Sequence, residues 1–183
     1  GQQIKPFRNR DLKTLKIIIN EGLKLSDVDK VVLIGSSISD HPQFVDLLQF
    51  LVEKGVEFSL PSLRIDTVTE EIAQLIGKSG MKTVAIAPES GTEKVRKKLN
   101  KYITNEQILQ GCKTLLDAGI PHVKLYMLYG FPFENDPDVL AIADLAEKIA
   151  YLGFDRKGVR VSLNPFVPKA HTHFQTFVDN FQD

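Results

Sequence analysis

Five short apolar runs, each separated from the next by a segment with helical spacing, constrain this chain more than any other feature. The runs are Lys30–Gly35, Val56–Ile65 (interrupted by Pro61), Thr83–Ala87, Val123–Tyr129 and Val159–Leu163. Between them, apolar residues recur every three or four positions: Phe44, Leu47, Leu48, Leu51 and Val52; Ile72, Leu75 and Ile76; Ile108, Leu115 and Leu116; Leu140, Leu145, Ile149 and Leu152. Glycines close these segments at Gly55, Gly80, Gly119 and Gly153. Strand and helix thus alternate roughly every 25–35 residues, the length of a βαβ unit, which predicts a parallel sheet.

A parallel sheet can be doubly wound or curved into a barrel. No Gly-x-Gly-x-x-Gly follows the first strand, so the dinucleotide-binding signature is absent. Polar or special residues follow every strand instead: Ser36 and Ser37, Arg64 and Asp66, Glu89 and Ser90, Gly130 and Pro132, Asn164 and Pro168. One ligand reached from all strand ends suits a barrel. Five strands are too few to close an eight-stranded one, and the chain opens on a helical pattern (Leu12, Leu15, Ile18, Ile19, Leu23). The expectation is an α/β partial (βα) barrel of about five parallel strands. It would be a single domain over residues 1–183, a piece of a longer chain that lacks the barrel's first unit.

Within it, Thr83–Asn100 reads as strand, tight turn and helix, leaving Glu89 at the strand's carboxyl end. Ser90-Gly-Thr-Glu93 matches a capping box, as does Thr104-Asn-Glu-Gln107, and Thr67-Val-Thr-Glu70 can cap another helix.

The 23 basic and 23 acidic residues balance, which argues against binding nucleic acid or membrane through overall charge. No apolar run approaches the ~18 residues of a membrane span, and the expected location is cytoplasmic. The single cysteine, Cys112, excludes an internal disulfide and any multi-cysteine metal site built from this chain alone. Its place in a predicted helix beside Gly111 makes it a buried thiol.

Five segments in order, Gly35–Pro42, Pro61–Asp66, Ala87–Gly91, Lys124–Pro132 and Asn164–Thr172, resemble the radical S-adenosylmethionine (SAM) superfamily. The resemblance is strongest to the subgroup associated with cobalamin-binding-type domains and weaker to the methylthiotransferases. It implies a six-unit partial barrel binding SAM and a 4Fe–4S cluster at the strands' carboxyl ends. The cluster would reduce the sulfonium to give a 5′-deoxyadenosyl radical. The family's Cys-x-x-x-Cys-x-x-Cys loop is missing, so this chain is expected to be inactive alone although its parent is an enzyme.

The resemblance also assigns the candidate cofactor-binding residues. Glu89 falls where a polar group holds the ribose or methionine end; the other reading is a strand-end carboxylate in a local ion pair. Lys101 falls where some members place a basic residue near the methionine carboxylate, against a solvated helix end. Gly35 and Ser36 correspond to backbone that meets the substrate amine, against a plain strand-to-helix turn, and Arg64 is either a ligand contact or a salt bridge. Gly130 and Val167 lie in segments that flank adenine, where Gly and Pro also make rigid turns. Arg96 is a weaker candidate, and His171 and His173 read as a surface loop. No residue is assigned as catalytic or as a metal ligand.

The functional expectation is the SAM-binding core of a radical enzyme of undefined substrate, with flavodoxin or ferredoxin as reductant of the parent. The alternatives are a non-catalytic (βα) module that binds a ligand or partner, and a methylthiotransferase-like enzyme modifying tRNA or protein. An unrelated barrel enzyme is disfavoured because no glycine-rich phosphate loop lies near the last strand. Exposed edges at the first and last strands predict self-association or cover by a terminal segment.

Overall fold

The computed structural model describes residues 8–35 and 37–176. Among these residues, five parallel strands are interspersed with six α-helices: α1 (Leu12–Leu25), β1 (Lys30–Val32), α2 (Phe44–Glu53), β2 (Glu57–Ser59), α3 (Glu70–Lys78), β3 (Thr83–Glu89), α4 (Glu93–Lys98), α5 (Asn105–Asp117), β4 (His122–Tyr129), α6 (Asp136–Ala150) and β5 (Val159–Pro165). The strands pair in sequential order, β1 with β2 and β3–β4–β5. A bridge from Leu63 to Ile86, with Leu63 N donating to Ala85 O at 2.8 Å, connects the two sets. Sequential neighbours without a reversal are the order of a barrel wall.

The predicted first strand is reduced to three residues. The second ends at Ser59, before Pro61, because proline has no N–H to offer the ladder. Only Leu63 resumes the pairing.

Helix starts follow side-chain chemistry. Thr104 and Gln107 cap α5 reciprocally as expected, and Asn135 and Asp138 do the same for α6, with Pro137 in its first turn. Two predicted caps are displaced. Thr69, two residues beyond Thr67, accepts from Ile72 N to start α3. Thr92, not Ser90, caps α4 by accepting from Val95 N at 3.4 Å. Ser90 is fully buried and its Oγ accepts from Thr92 N. Glu93 accepts from the amide of Asn105, at the start of α5. Both residues keep structural roles, but not as one capping box.

The core lies between the sheet and its helices. Val84 and Ile86 of β3 and Val123, Leu125 and Met127 of β4 alternate into it, meeting Ile108, Cys112 and Leu115 of α5 and Leu145 and Ile149 of α6. Helix α1 is amphipathic, yet none of its residues is buried. Among the described residues, no helix is long and apolar enough to cross a membrane.

Gly91 fixes how the β3–α4 turn meets α6. A Cβ there would overlap the backbone of Ala141 and Ile142, so Gly91→Ala should displace helix or turn. The expected loss is about 3 kcal/mol, the upper end of overpacking costs, because backbone must move. A fall in denaturant midpoint measures it.

The same junction carries Asp138, which accepts from Thr92 Oγ1 at 3.0 Å and Lys94 Nζ at 2.7 Å. Burial raises its pKa, but the hydrogen bonds from Lys94, Thr92 and the Asn135 amide outweigh this and hold it below the ordinary value of 3.8. A depressed carboxylate pKa contributes stability present above the unfolded value and lost as pH falls through the folded one. Acid unfolding below about pH 4 should therefore be less steep in Asp138→Asn, measured by circular dichroism.

Candidate functional site

Because every strand is parallel, the carboxyl ends of β3, β4 and β5 share one edge. At the end of β3 the pairing with β4 slips between Ile86 and Glu89, a bulge that opposes Glu89 to Met127. Glu89 adopts φ 72°, the left-handed region that costs a non-glycine residue about 1–2 kcal/mol. Bulges re-aim side chains and recur beside functional sites, and strain persists only where surroundings impose it.

Those surroundings are built by α4. Asn100 occupies the left-handed position after the helix at φ 58°. Lys101 N donates to Arg96 O at 2.9 Å and Asn100 N to Lys97 O at 3.0 Å, the two bonds of a Schellman motif. This stop turns the Lys101 side chain back to β3, where Nζ donates to Ala87 O and lies 3.1 Å from Glu89 Oε1. Both side chains are about a quarter exposed. Glu89 and Lys101 thus meet, although sequence spacing alone placed Lys101 on a solvated helix end.

Arg96 holds the turn from beneath. It is fully buried, and Nε donates to Ile103 O at 2.8 Å, Nη1 to Ser90 O at 2.8 Å and Nη2 to Asn105 Oδ1 at 2.5 Å. Burial lowers its pKa below the ordinary arginine range, opposed by the charge of Glu93. A guanidinium fork can join three segments in this way.

Sequence reasoning missed Glu134. Its Oε2 accepts from Gly130 N at 2.6 Å and Phe131 N at 3.3 Å, tying down the turn after β4 where Gly130 has φ 85°. Its Oε1 is buried without a partner, a costly state for a carboxylate oxygen. The spacing Gly130-Phe-Pro-Phe-Glu134 offered the signal, a carboxylate within reach of the turn's own amides. Above it, Phe131, Phe133, Phe166 and Phe174 form an aromatic cluster, with Phe131 and Phe166 centroids 4.7 Å apart.

The remaining candidates are more dispersed. Arg64 pairs with Asp66 at 2.6 Å and Asp40 at 3.4 Å, joining the turns after β1 and β2, and the hydrogen bond it donates to Asp66 raises its pKa. Gly35 follows β1, while Ser36 lies outside the described residues. Val167 is exposed on the segment where Phe166 N donates to Tyr129 O at 2.7 Å.

A parallel barrel wall with a bulged carboxylate and a lysine at its carboxyl edge has the architecture of the (βα) class, in which polar side chains gather at the strands' carboxyl ends. The profile of the Radical SAM superfamily matches residues 2–146, and the chain belongs to that family. An uncharacterised protein of Methanocaldococcus jannaschii is 35% identical over 93% of this chain and 37% of its own length. The tRNA-2-methylthio-N(6)-dimethylallyladenosine synthase of Treponema denticola is 26% identical over 82% of this chain and 30% of its own. The chain thus spans about a third of the length of these relatives. Streptococcus suis SuiB bound to S-adenosylmethionine superposes with a TM-score of 0.60 at 13% identity, over 91% of this chain and 37% of SuiB. That likeness supports the partial-barrel fold.

SAM and a 4Fe–4S cluster are the cofactors of the superfamily. The donors present do not fit the cluster, which such proteins ligate with cysteine thiolates. Cys112 is the chain's one cysteine, it is fully buried in α5, and burial pushes its thiol up to about 12. Alkylation with iodoacetamide near neutral pH should therefore leave the folded protein unmodified and label Cys112 on unfolding, as mass spectrometry can show. Iron reconstitution of the chain alone should give no cluster absorbance.

Proposed function

We propose that this chain is the SAM-binding wall of a radical SAM enzyme, inactive without cluster ligands supplied by other residues. The observation that carries the reading is Glu89, held at φ 72° beyond a strand-end bulge and met there by Lys101. A carboxylate accepts from ribose hydroxyls or pairs with an amino group, and an ammonium pairs with a carboxylate. SAM carries all three. Gly130, Val167 and the aromatic cluster supply the apolar and backbone surface that an adenine ring requires. The unpartnered oxygen of Glu134 calls for a donor at the same edge. Gly35 and Ser36 would offer backbone to the amine, and Arg64 would close the opposite side. Bound SAM would supply the adenosyl group. The chain's residues orient it and exclude water.

Hydrogen–deuterium exchange tests the placement. SAM should protect the turns around residues 87–91 and 128–134. Protection confined to the α1 face, or none in the folded protein, would contradict it.

A second reading, a methylthiotransferase-like enzyme acting on tRNA or protein, is favoured by the Treponema relative. In either case the reductant would be a flavodoxin or ferredoxin acting on the whole protein. The exposed Val32 on edge strand β1 and Val161 and Leu163 on edge strand β5 support self-association, or cover by another segment, through those edges.

A further inference from the structure

The face of β4 and β5 turned away from the helices carries a feature that the fold does not explain. Val123, Leu125 and Met127 of β4 are fully buried on the helix side, so Lys124 and Tyr126 point to the opposite face. Lys124 Nζ sits over the Tyr126 ring, 4.6 Å from its centroid. On β5, Arg160 is in register with Lys124 and Ser162 with Tyr126. Parallel neighbours lie about 4.8 Å apart, with in-register side chains on one face. The two cationic residues are therefore neighbours on one face.

Arg64 pairs with Asp66, Lys101 with Glu89 and Lys94 with Asp138. Among the described residues, Lys124 and Arg160 are in no ion pair. Beside Lys124 across β3 lie small residues, Ala85 in register and Ala87 two residues on. Two cationic residues on one face, one held over an aromatic ring and flanked by small residues, present donors suited to an anion.

The geometry points to an oxyanion site formed by Lys124 and Arg160, with Tyr126 and Ser162 beside them, that takes the carboxylate or phosphate of a small organic ligand. Arginine offers a planar fork to such a group and lysine a point charge. The pair lies three residues below Met127, the register partner of Glu89. At about 3.3 Å per residue that is ~10 Å, so a ligand anchored here would extend along the face towards the carboxyl edge. The inference rests on strand register and charge, and stands whether or not SAM binds at Glu89.

Titration of inorganic phosphate and of malonate into the folded protein, followed by amide shifts in NMR spectra, tests it. Saturable shifts at residues 124–126 and 160–162 are expected, weakening as salt rises. Arg160→Gln and Lys124→Met should each weaken binding tenfold or more while leaving the fold's spectrum and Tm unchanged or improved. Lys97→Gln, on the exposed side of α4, should bind as the wild type does. Stronger binding of phosphate or of malonate identifies which group the natural ligand carries. Absence of saturable shifts with both anions, or equal weakening by Lys97→Gln, would overturn the assignment.

Discussion

Replacing Arg96 by methionine is expected to destabilise the protein by about 3–5 kcal/mol. Methionine keeps most of the stem's volume but none of the donors. Ile103 O and Ser90 O would be left buried without a bond, and Asn105 would lose its restraint at the start of α5. Each stranded buried acceptor costs about 1–3 kcal/mol. Arg96→Lys should recover only part of the loss, because one ammonium cannot span three segments that a guanidinium fork reaches. Urea midpoints of the three proteins give the comparison. A loss below about 1 kcal/mol for Arg96→Met would mean that water or a backbone shift satisfies those carbonyls.

The same substitution should loosen the site above it. Arg96 O accepts from Lys101 N, and the Ser90 carbonyl that Arg96 holds follows Glu89 directly. SAM binding should therefore weaken in Arg96→Met even under conditions where the protein remains folded.

Glu89→Ala is the second large effect, and it falls on binding rather than stability. Alanine removes the proposed ligand contact and leaves the Lys101 ammonium with the Ala87 carbonyl. A charge-assisted hydrogen bond is worth about 1.5–3 kcal/mol, so affinity for SAM should fall at least tenfold. Stability should change by less than about 1 kcal/mol, because the lost ion pair is part exposed. Glu89→Gly separates backbone from side chain. Glycine adopts positive φ without penalty, so this variant should be as stable as wild type or more so, and just as poor at binding.

The alternation of apolar runs and helical segments was enough to read a parallel barrel wall, because burial of one sheet face imposes that periodicity. The Thr104–Gln107 box and the burial of Cys112 were likewise legible, since both depend on near neighbours in the chain. What escaped depends on contacts distant in sequence. Ser90 looked like a cap until the Gly91 approach to α6 moved the helix start to Thr92. Arg96 sits in a lysine-rich run that reads as solvated, and only the return of Ile103 and Asn105 over it creates its burial. In the site, Glu89 could be placed at a strand end from local pattern. Its bulge, its left-handed backbone and its meeting with Lys101 required the register of β4 and the Schellman turn.

The central claim is that Glu89 marks the SAM-binding edge of this chain. Isothermal titration of SAM into the wild-type protein and Glu89→Ala, each checked for folding, tests it most directly. Saturable binding by the wild type, weakened at least tenfold in the variant, is expected. Equal affinity in both proteins, or no binding by folded wild type, would contradict it.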